Sequence, residues 1–162
     1  MLLGTDDLYP YLSRVALLKI KHPQVKTLFQ KLKLENQQEI LVINEPDGFN
    51  EQLAELTGID VIESLVQINQ VEFALVFVKT IEEFERQTQT LLPKLKDDIV
   101  LWVAHPRKVS KTLKTDITND YAWSPLIKNC YTQVGYLKIN DDWEALRFRK
   151  LEYTKCKEIK NR

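Results

Sequence analysis

Glycine is the scarce residue in this chain, with 4 in 162. A turn that wraps its backbone around a phosphate or a nucleoside needs several glycines in a short span, because they alone permit close approach and left-handed conformations cheaply. Neither a P-loop nor a G-x-G-x-x-G run is present, and no G-x-S-x-G elbow occurs. Cysteine is rarer still. Cys130 and Cys156 have neither metal spacing nor a C-x-x-C partner, so inert thiols in a reduced, cytoplasmic setting are expected. The two histidines, His22 and His105, lie far apart and both precede proline. With no H-E-x-x-H and no calcium loop, no metal is expected. Apolar runs such as 99–104 fall far short of the ~20 residues a membrane helix needs. The opening MLLGTDD turns acidic at once, so neither a membrane span nor a secretory leader is expected. An excess of charge is also missing: 23 basic and 23 acidic residues cancel, and the pI is about 6.7. That disfavours general affinity for nucleic acid, which goes with a positive excess and stacking aromatics on one face.

What remains is an ordinary globular composition, 44% apolar and 28% charged. The length suits one domain that buries on the order of 70% of its unfolded surface without staples. The charges are unevenly spread. Residues 1–34 carry net +4, residues 35–98 net −10 and residues 99–162 net +6. Either the fold is dipolar or the acidic middle lies beside the basic ends and neutralises them. The expected organisation is an N-terminal extension over 1–22, one α/β domain over 23–152 and a charged tail over 153–162.

The pattern within the domain alternates strands and helices. Val25, Leu28, Phe29 and Leu32 follow Pro23 at helical spacing and predict a surface helix. Residues 40–43 form an apolar, β-branched run, which reads as a strand buried on both faces, and it ends in the turn Asn44–Glu45–Pro46–Asp47–Gly48. Phe49, Leu53 and Leu56 predict the next helix, with Gly58 as its left-handed cap. Residues 60–66 form a weaker strand and residues 71–78 a strong one. Thr80 and Glu83 make a capping box for a helix through Leu92. Residues 97–105 form a fourth strand. A lysine-rich loop then leads to a helix expected near 118–128. Two alternating segments, 131–139 and 143–151, close the chain as an antiparallel hairpin around Asn140–Asp141–Asp142. This order predicts a Rossmann-like, mostly parallel sheet with helices on both faces and a C-terminal antiparallel hairpin. A lysine-rich helical N-terminal piece packs against it.

Such a closing hairpin resembles the fold of S-adenosylmethionine-dependent methyltransferases. The phrase LLPKLKDDIVLWVA is similar to the segment before and through their fifth strand, and the likeness spans roughly residues 35–150. A second resemblance is to a family of small bacterial proteins known only as a domain of unknown function. It rests on INEPDGF, on Trp102, Pro106, Arg107 or Lys108, on the run Lys114, Thr115, Asp116, Ile117, Thr118, and on Trp143. It covers most of the chain after residue 25 and implies a fold but no activity.

In an open parallel sheet, ligands bind at the carboxyl ends of the strands. Those ends carry Asn44, Glu45 and Asp47, then Lys79 and Thr80, then His105, Arg107 and Lys108. The first turn offers a single glycine, Pro46 removes a donor, and Asp47 is placed to cap the following helix with negative charge where an anion would sit. Glu63 stands near the spacing of a ribose-binding acid but inside the second strand. His105 is the best acid–base candidate, since its ordinary pKa is near neutral, yet a polar residue closing a strand explains it as well. Ser110 and Ser124 have no evident base. The stretch 105–115 holds Arg107, Lys108, Lys111 and Lys114 and no acid, so it is either an anion-binding loop or a solvated one. Trp102 is expected to be packing and Trp143 packing or a pocket wall. Tyr121 and Trp123 either stack a base or fill the core.

The leading expectation is a non-catalytic or degenerate methyltransferase-like binding or interaction module. It takes no cofactor, and its partner is a protein or a small anionic ligand. The alternatives are a methyltransferase with an atypical cofactor loop, using Glu45, Asp47, His105 and Lys108, and a phosphate or nucleic-acid binder acting through the loop 105–115.

Overall fold

The computed structural model describes residues 25–154. Six strands form one sheet: β1 (Glu39–Ile43), β2 (Asp60–Ile62), β3 (Val71–Phe77), β4 (Leu95–Pro106), β5 (Tyr131–Lys138) and β6 (Trp143–Lys150). Their order is β2-β1-β3-β4-β6-β5. β1 pairs in parallel with β2 and β3, and β3 with β4. β6 runs antiparallel to both β4 and β5. This is the expected mostly parallel sheet closed by an antiparallel hairpin.

Helix α1 (Leu28–Lys31) precedes β1, and α2 (Asn50–Ala54), α3 (Ile81–Leu91) and α4 (Ser124–Ile127) lie between later strands. They lie on both faces, as expected. Side chains alternate along a strand, so successive residues of β4 enter different cores. Val100, Trp102 and Ala104 pack with Phe29 and Leu32 at α1 and with Phe49 at the start of α2. Ile99, Leu101 and Val103 pack with Phe84 and Leu91 of α3 and with Leu126 of α4. We call these the α1/α2 face and the α3/α4 face. Phe73, Phe77 and Phe148 are wholly buried. Trp102 is core, and its indole N–H donates to Leu32 C=O at 2.8 Å.

Local departures from the sequence expectation have identifiable causes. The first helix starts at Leu28 rather than beside Pro23, which lies outside the described residues. Thr27 caps it in a capping box with Gln30, leaving Val25 88% exposed and off the stripe. Helix α2 is a short turn with no side-chain cap, so Asp47 does not cap it. Gly58 is left-handed (φ +70°) but sits beyond Glu55, which ends that helix. The second strand stops at Ile62, because Ser64 caps a 3-10 turn over Leu65–Gln67. The helix expected near 118–128 shrinks to Ser124–Ile127. Trp123 is left-handed (φ 53°) and Pro125 can only begin a helix, so no helix runs through them.

The uneven charge is resolved by neighbouring strands. Lys96 pairs with Glu72 of β3 within the acidic segment, while Arg149 of β6 grips Asp98 of β4 with two hydrogen bonds of 2.9 Å and Lys150 pairs with Asp97 at 3.0 Å. The basic end and the acidic middle therefore lie side by side. No helix among the described residues is long and apolar enough to cross a membrane.

Candidate functional site

The strand order reverses between β1 and β3, and the carboxyl ends of those strands are where a doubly wound sheet holds a nucleotide. Here the polar groups at that point are bonded to the chain itself. The Asn44 side-chain amide donates to Glu83 Oε1 at 3.3 Å, and Lys79 N–H donates to Glu83 Oε2 at 2.9 Å. Glu83 thus reaches one residue further back than a standard capping box, while Thr80 Oγ accepts from Glu83 N–H at 3.1 Å. The loop after β4 supplies the rest. Thr115 Oγ donates to Lys79 C=O at 2.7 Å, and Asp116 Oδ1 accepts from Ile81 N–H at 2.8 Å. The N-terminus of α3, where an anion would be favoured, already faces a carboxylate from within the molecule.

The same loop is tied at its other end. Asp142 Oδ1 accepts from Ser110 Oγ at 2.6 Å and from Thr112 Oγ at 3.0 Å. A cavity of about 350 Å³ remains beside it, lined by Glu45, Asp47, Lys79, Leu113, Asp142 and Trp143 among others. Three carboxylates against one ammonium make it hostile to phosphate. Trp143 is a buried wall there and packs edge-on against Phe77 with ring centroids 5.1 Å apart.

The candidate residues divide between two places. Glu45 and Asp47 line this first cavity. His105 belongs to a second one on the α3/α4 face. Arg107 turns back toward the hairpin, donating to Asp141 C=O at 3.1 Å, with its Nε 3.9 Å from Glu144 Oε2. Lys108, Lys111 and Lys114 are exposed along the loop. The set Glu45, Asp47, His105 and Lys108 is not brought together around one cavity. Among the described residues, no three His, Cys, Asp or Glu side chains are grouped to hold a metal.

The second cavity, about 450 Å³, lies where the end of β4 meets the start of β6 and is roofed by residues 118–123. Antiparallel register sets His105 directly opposite Glu144. His105 is 5% exposed. Its Nδ1 is 2.9 Å from Pro106 C=O, which can only accept, so the proton sits on Nδ1 and the lone pair on Nε2. Nε2 is 3.6 Å from Glu144 Oε1, outside hydrogen-bond range. Burial pushes the His105 pKa below its ordinary value, more than the Pro106 carbonyl and Glu144 raise it. The imidazole is therefore neutral at pH 7, and the contact with Glu144 is not an ion pair. Tyr136 of β5 donates to the other carboxylate oxygen at 2.9 Å and fixes its rotamer. Trp123 stands against His105 with ring centroids 5.8 Å apart and against Phe84 at 4.8 Å, and Tyr121 packs on Trp123 at 4.9 Å. Burial, with the nearby Glu85, pushes the Tyr121 phenol up to about 12.

Glu144 and Tyr136 were not singled out by the sequence. The available signal was topological: an antiparallel neighbour of β4 must begin where β4 ends.

No protein-family model matches the chain, and no curated protein is detectably similar in sequence. Several solved structures share features of its backbone path. A protein described as a type 11 methyltransferase from Sulfolobus solfataricus aligns at TM-score 0.44 and 10% identity, over 76% of this chain and 89% of its own. A chain of the fibrillarin/Nop5p complex aligns at TM-score 0.46 and 9% identity, over 88% of this chain and 83% of its own. The ribosomal protein L11 methylase of Lactobacillus delbrueckii subsp. bulgaricus aligns at TM-score 0.44 and 13% identity, over 85% and 78%. At these values nothing about chemistry passes to this chain.

Proposed function

We propose that this protein is a non-catalytic, methyltransferase-like binding module, whose cofactor crevice has been taken over by its own loop. The observation that carries this reading is the saturation of the strand-order reversal: Asn44, both backbone groups of Lys79, and Ile81 N–H are all bonded to Glu83, Thr115 or Asp116. A cofactor there must displace those bonds and enter a cavity lined by Glu45, Asp47 and Asp142. The lone glycine of the first turn, Gly48 (φ +85°), only turns the chain and opens no run of bare backbone. In this reading residues 23–152 are the working domain, with an extension before it and a charged tail after it. The protein acts in the cytoplasm, takes no cofactor, and belongs with the small bacterial family that its INEPDGF turn, its 102–118 segment and Trp143 resemble.

The test is a thermal melt of the full chain with S-adenosylmethionine at about 100 times a typical micromolar Kd, where a true ligand adds ~2.7 kcal/mol of stability. No rise that depends on the first cavity is expected: any shift is the same in Asp47→Lys as in the wild type. A rise of several degrees that Asp47→Lys removes would restore the methyltransferase alternative.

A further inference from the structure

The cavity of His105 and Glu144 has the features of a built site. One polar side chain, His105, is more than nine-tenths buried, and its Nε2 lone pair stands 3.6 Å from a carboxylate oxygen. The carboxylate is held in place by Tyr136. The adjoining aromatic, Trp123, is kept in the left-handed region (φ 53°), a conformation that costs ~1–3 kcal/mol and clusters at ligand sites. The geometry points to a ligand site here for a neutral planar ring bearing an amino group, the chemistry of an amino-substituted nucleobase. This deepens the binding-module reading and rests on it.

The ligand class follows from elimination. His105 Nε2 and Glu144 Oε1 are both acceptors, so a ligand must bring donors to both. A hydroxyl carries one hydrogen and serves one of them, whereas an amino group carries two and serves the pair. A phosphate or carboxylate meets only a lone pair and a negative charge. A divalent metal or free ammonium would sit beside the Arg107 guanidinium, whose Nε is 3.9 Å from the same carboxylate, and a metal would find two protein ligands where stable sites use more. Tyr121 and Trp123 in the lining suit a flat ring. The volume, about 450 Å³, falls in the range of small-molecule sites.

Isothermal titration of the full chain with adenosine and with inosine, which replaces the amino group by a carbonyl, tests this directly. Adenosine is expected to bind at least tenfold more tightly than inosine. His105→Phe, which keeps the packing against Trp123 but removes the acceptor, is expected to erase that preference, as is Glu144→Leu. Equal binding of the two nucleosides, absence of heat with both at about millimolar concentration, or an undiminished preference in His105→Phe each overturns the site. The wild-type comparison stands even if a variant does not fold. S-adenosylmethionine binding that survives His105→Phe overturns the binding-module reading instead, so the two failures are distinguishable.

Discussion

Asp116 is the residue whose removal reports most directly on the closed crevice. Its carboxylate accepts the Ile81 N–H at the first turn of α3, 35 residues earlier in the chain. Asp116→Ala leaves that donor to water and frees the loop end. Loss of a capping acceptor costs about 0.5–2 kcal/mol, and the charge near the positive end of an 11-residue helix adds ~0.3–1 kcal/mol. Asp116 is exposed, so the lower half applies and about 1–2 kcal/mol is expected. For a chain of this size that lowers the melting temperature by roughly 2–8 °C. Asp116→Asn keeps an acceptor and loses only the charge, so it should fall by less than half as much.

Urea titration with circular dichroism measures both variants. The gap between Asn and wild type should shrink at about 1 M salt, where the Debye length is ~3 Å. Thr115→Ala, which removes the bond to Lys79 C=O, should cost a further ~0.5–1.5 kcal/mol. If Asp116→Ala melts with the wild type, the loop is not pinned where it crosses the strand ends, and it does not fill the crevice.

Other outcomes follow from the same geometry. Burial lowers the His105 pKa, so below its ordinary value of about 6.5 the unfolded chain takes a proton that the folded chain refuses. The stability owed to this group is whole above that pH and declines on acidification; urea midpoints should fall from about pH 7.5 to 5.5, and His105→Phe should flatten that slope. Asp98 behaves in the lower window: its bonds to Arg149 hold its pKa below the usual carboxylate value, so its contribution is present above about pH 4 and is lost as pH falls further. A double-mutant cycle of Asp98→Ala with Arg149→Ala should give a coupling of no more than ~1 kcal/mol, because the pair is partly exposed. The basic loop should not retain the protein on heparin at about 0.15 M salt, since Arg107 is turned into the hairpin and Lys108, Lys111 and Lys114 alone release few counterions. Retention that Lys108→Ala, Lys111→Ala and Lys114→Ala together abolish would revive the anion-binding alternative.

The strands were legible because burial on both faces leaves a continuous apolar run, as at 40–43 and 71–78. The hairpin was legible because alternation and the Asn140 turn agree; Asn140 Oδ1 accepts from Asp142 and Trp143 N–H at 2.9 and 2.8 Å. The helix expected near 118–128 is shorter for a physical reason. Tyr121, Trp123 and Leu126 do reach one core, but Tyr121 and the left-handed Trp123 do so from a loop and only Leu126 from the short α4, so the apolar spacing reported burial rather than a continuous helix. The plug in the crevice was illegible because its bonds join Lys79 and Ile81 to Thr115 and Asp116 across the chain, and nothing local encodes them.

The reversed direction of β6 explains why the two cavities differ in character. A parallel neighbour of β4 would bring its own carboxyl end to the rim, as β1 and β3 do, and the rim would hold only strand-end loops. Because β6 runs the other way, its first residues arrive at the end of β4, and Glu144 meets His105 on regular, paired backbone. Side chains held by a ladder are positioned more tightly than those on loops. The first cavity is walled by the turn after β1 and by a loop held through exposed side-chain bonds, whereas the second stands on two paired strands and an aromatic cluster. A binding function on this fold is therefore better served at the hairpin than at the β1 turn, and ligand selectivity should respond to His105 and Glu144 while remaining indifferent to Glu45. Glu45→Ala that alters adenosine affinity as much as His105→Phe does would contradict that division.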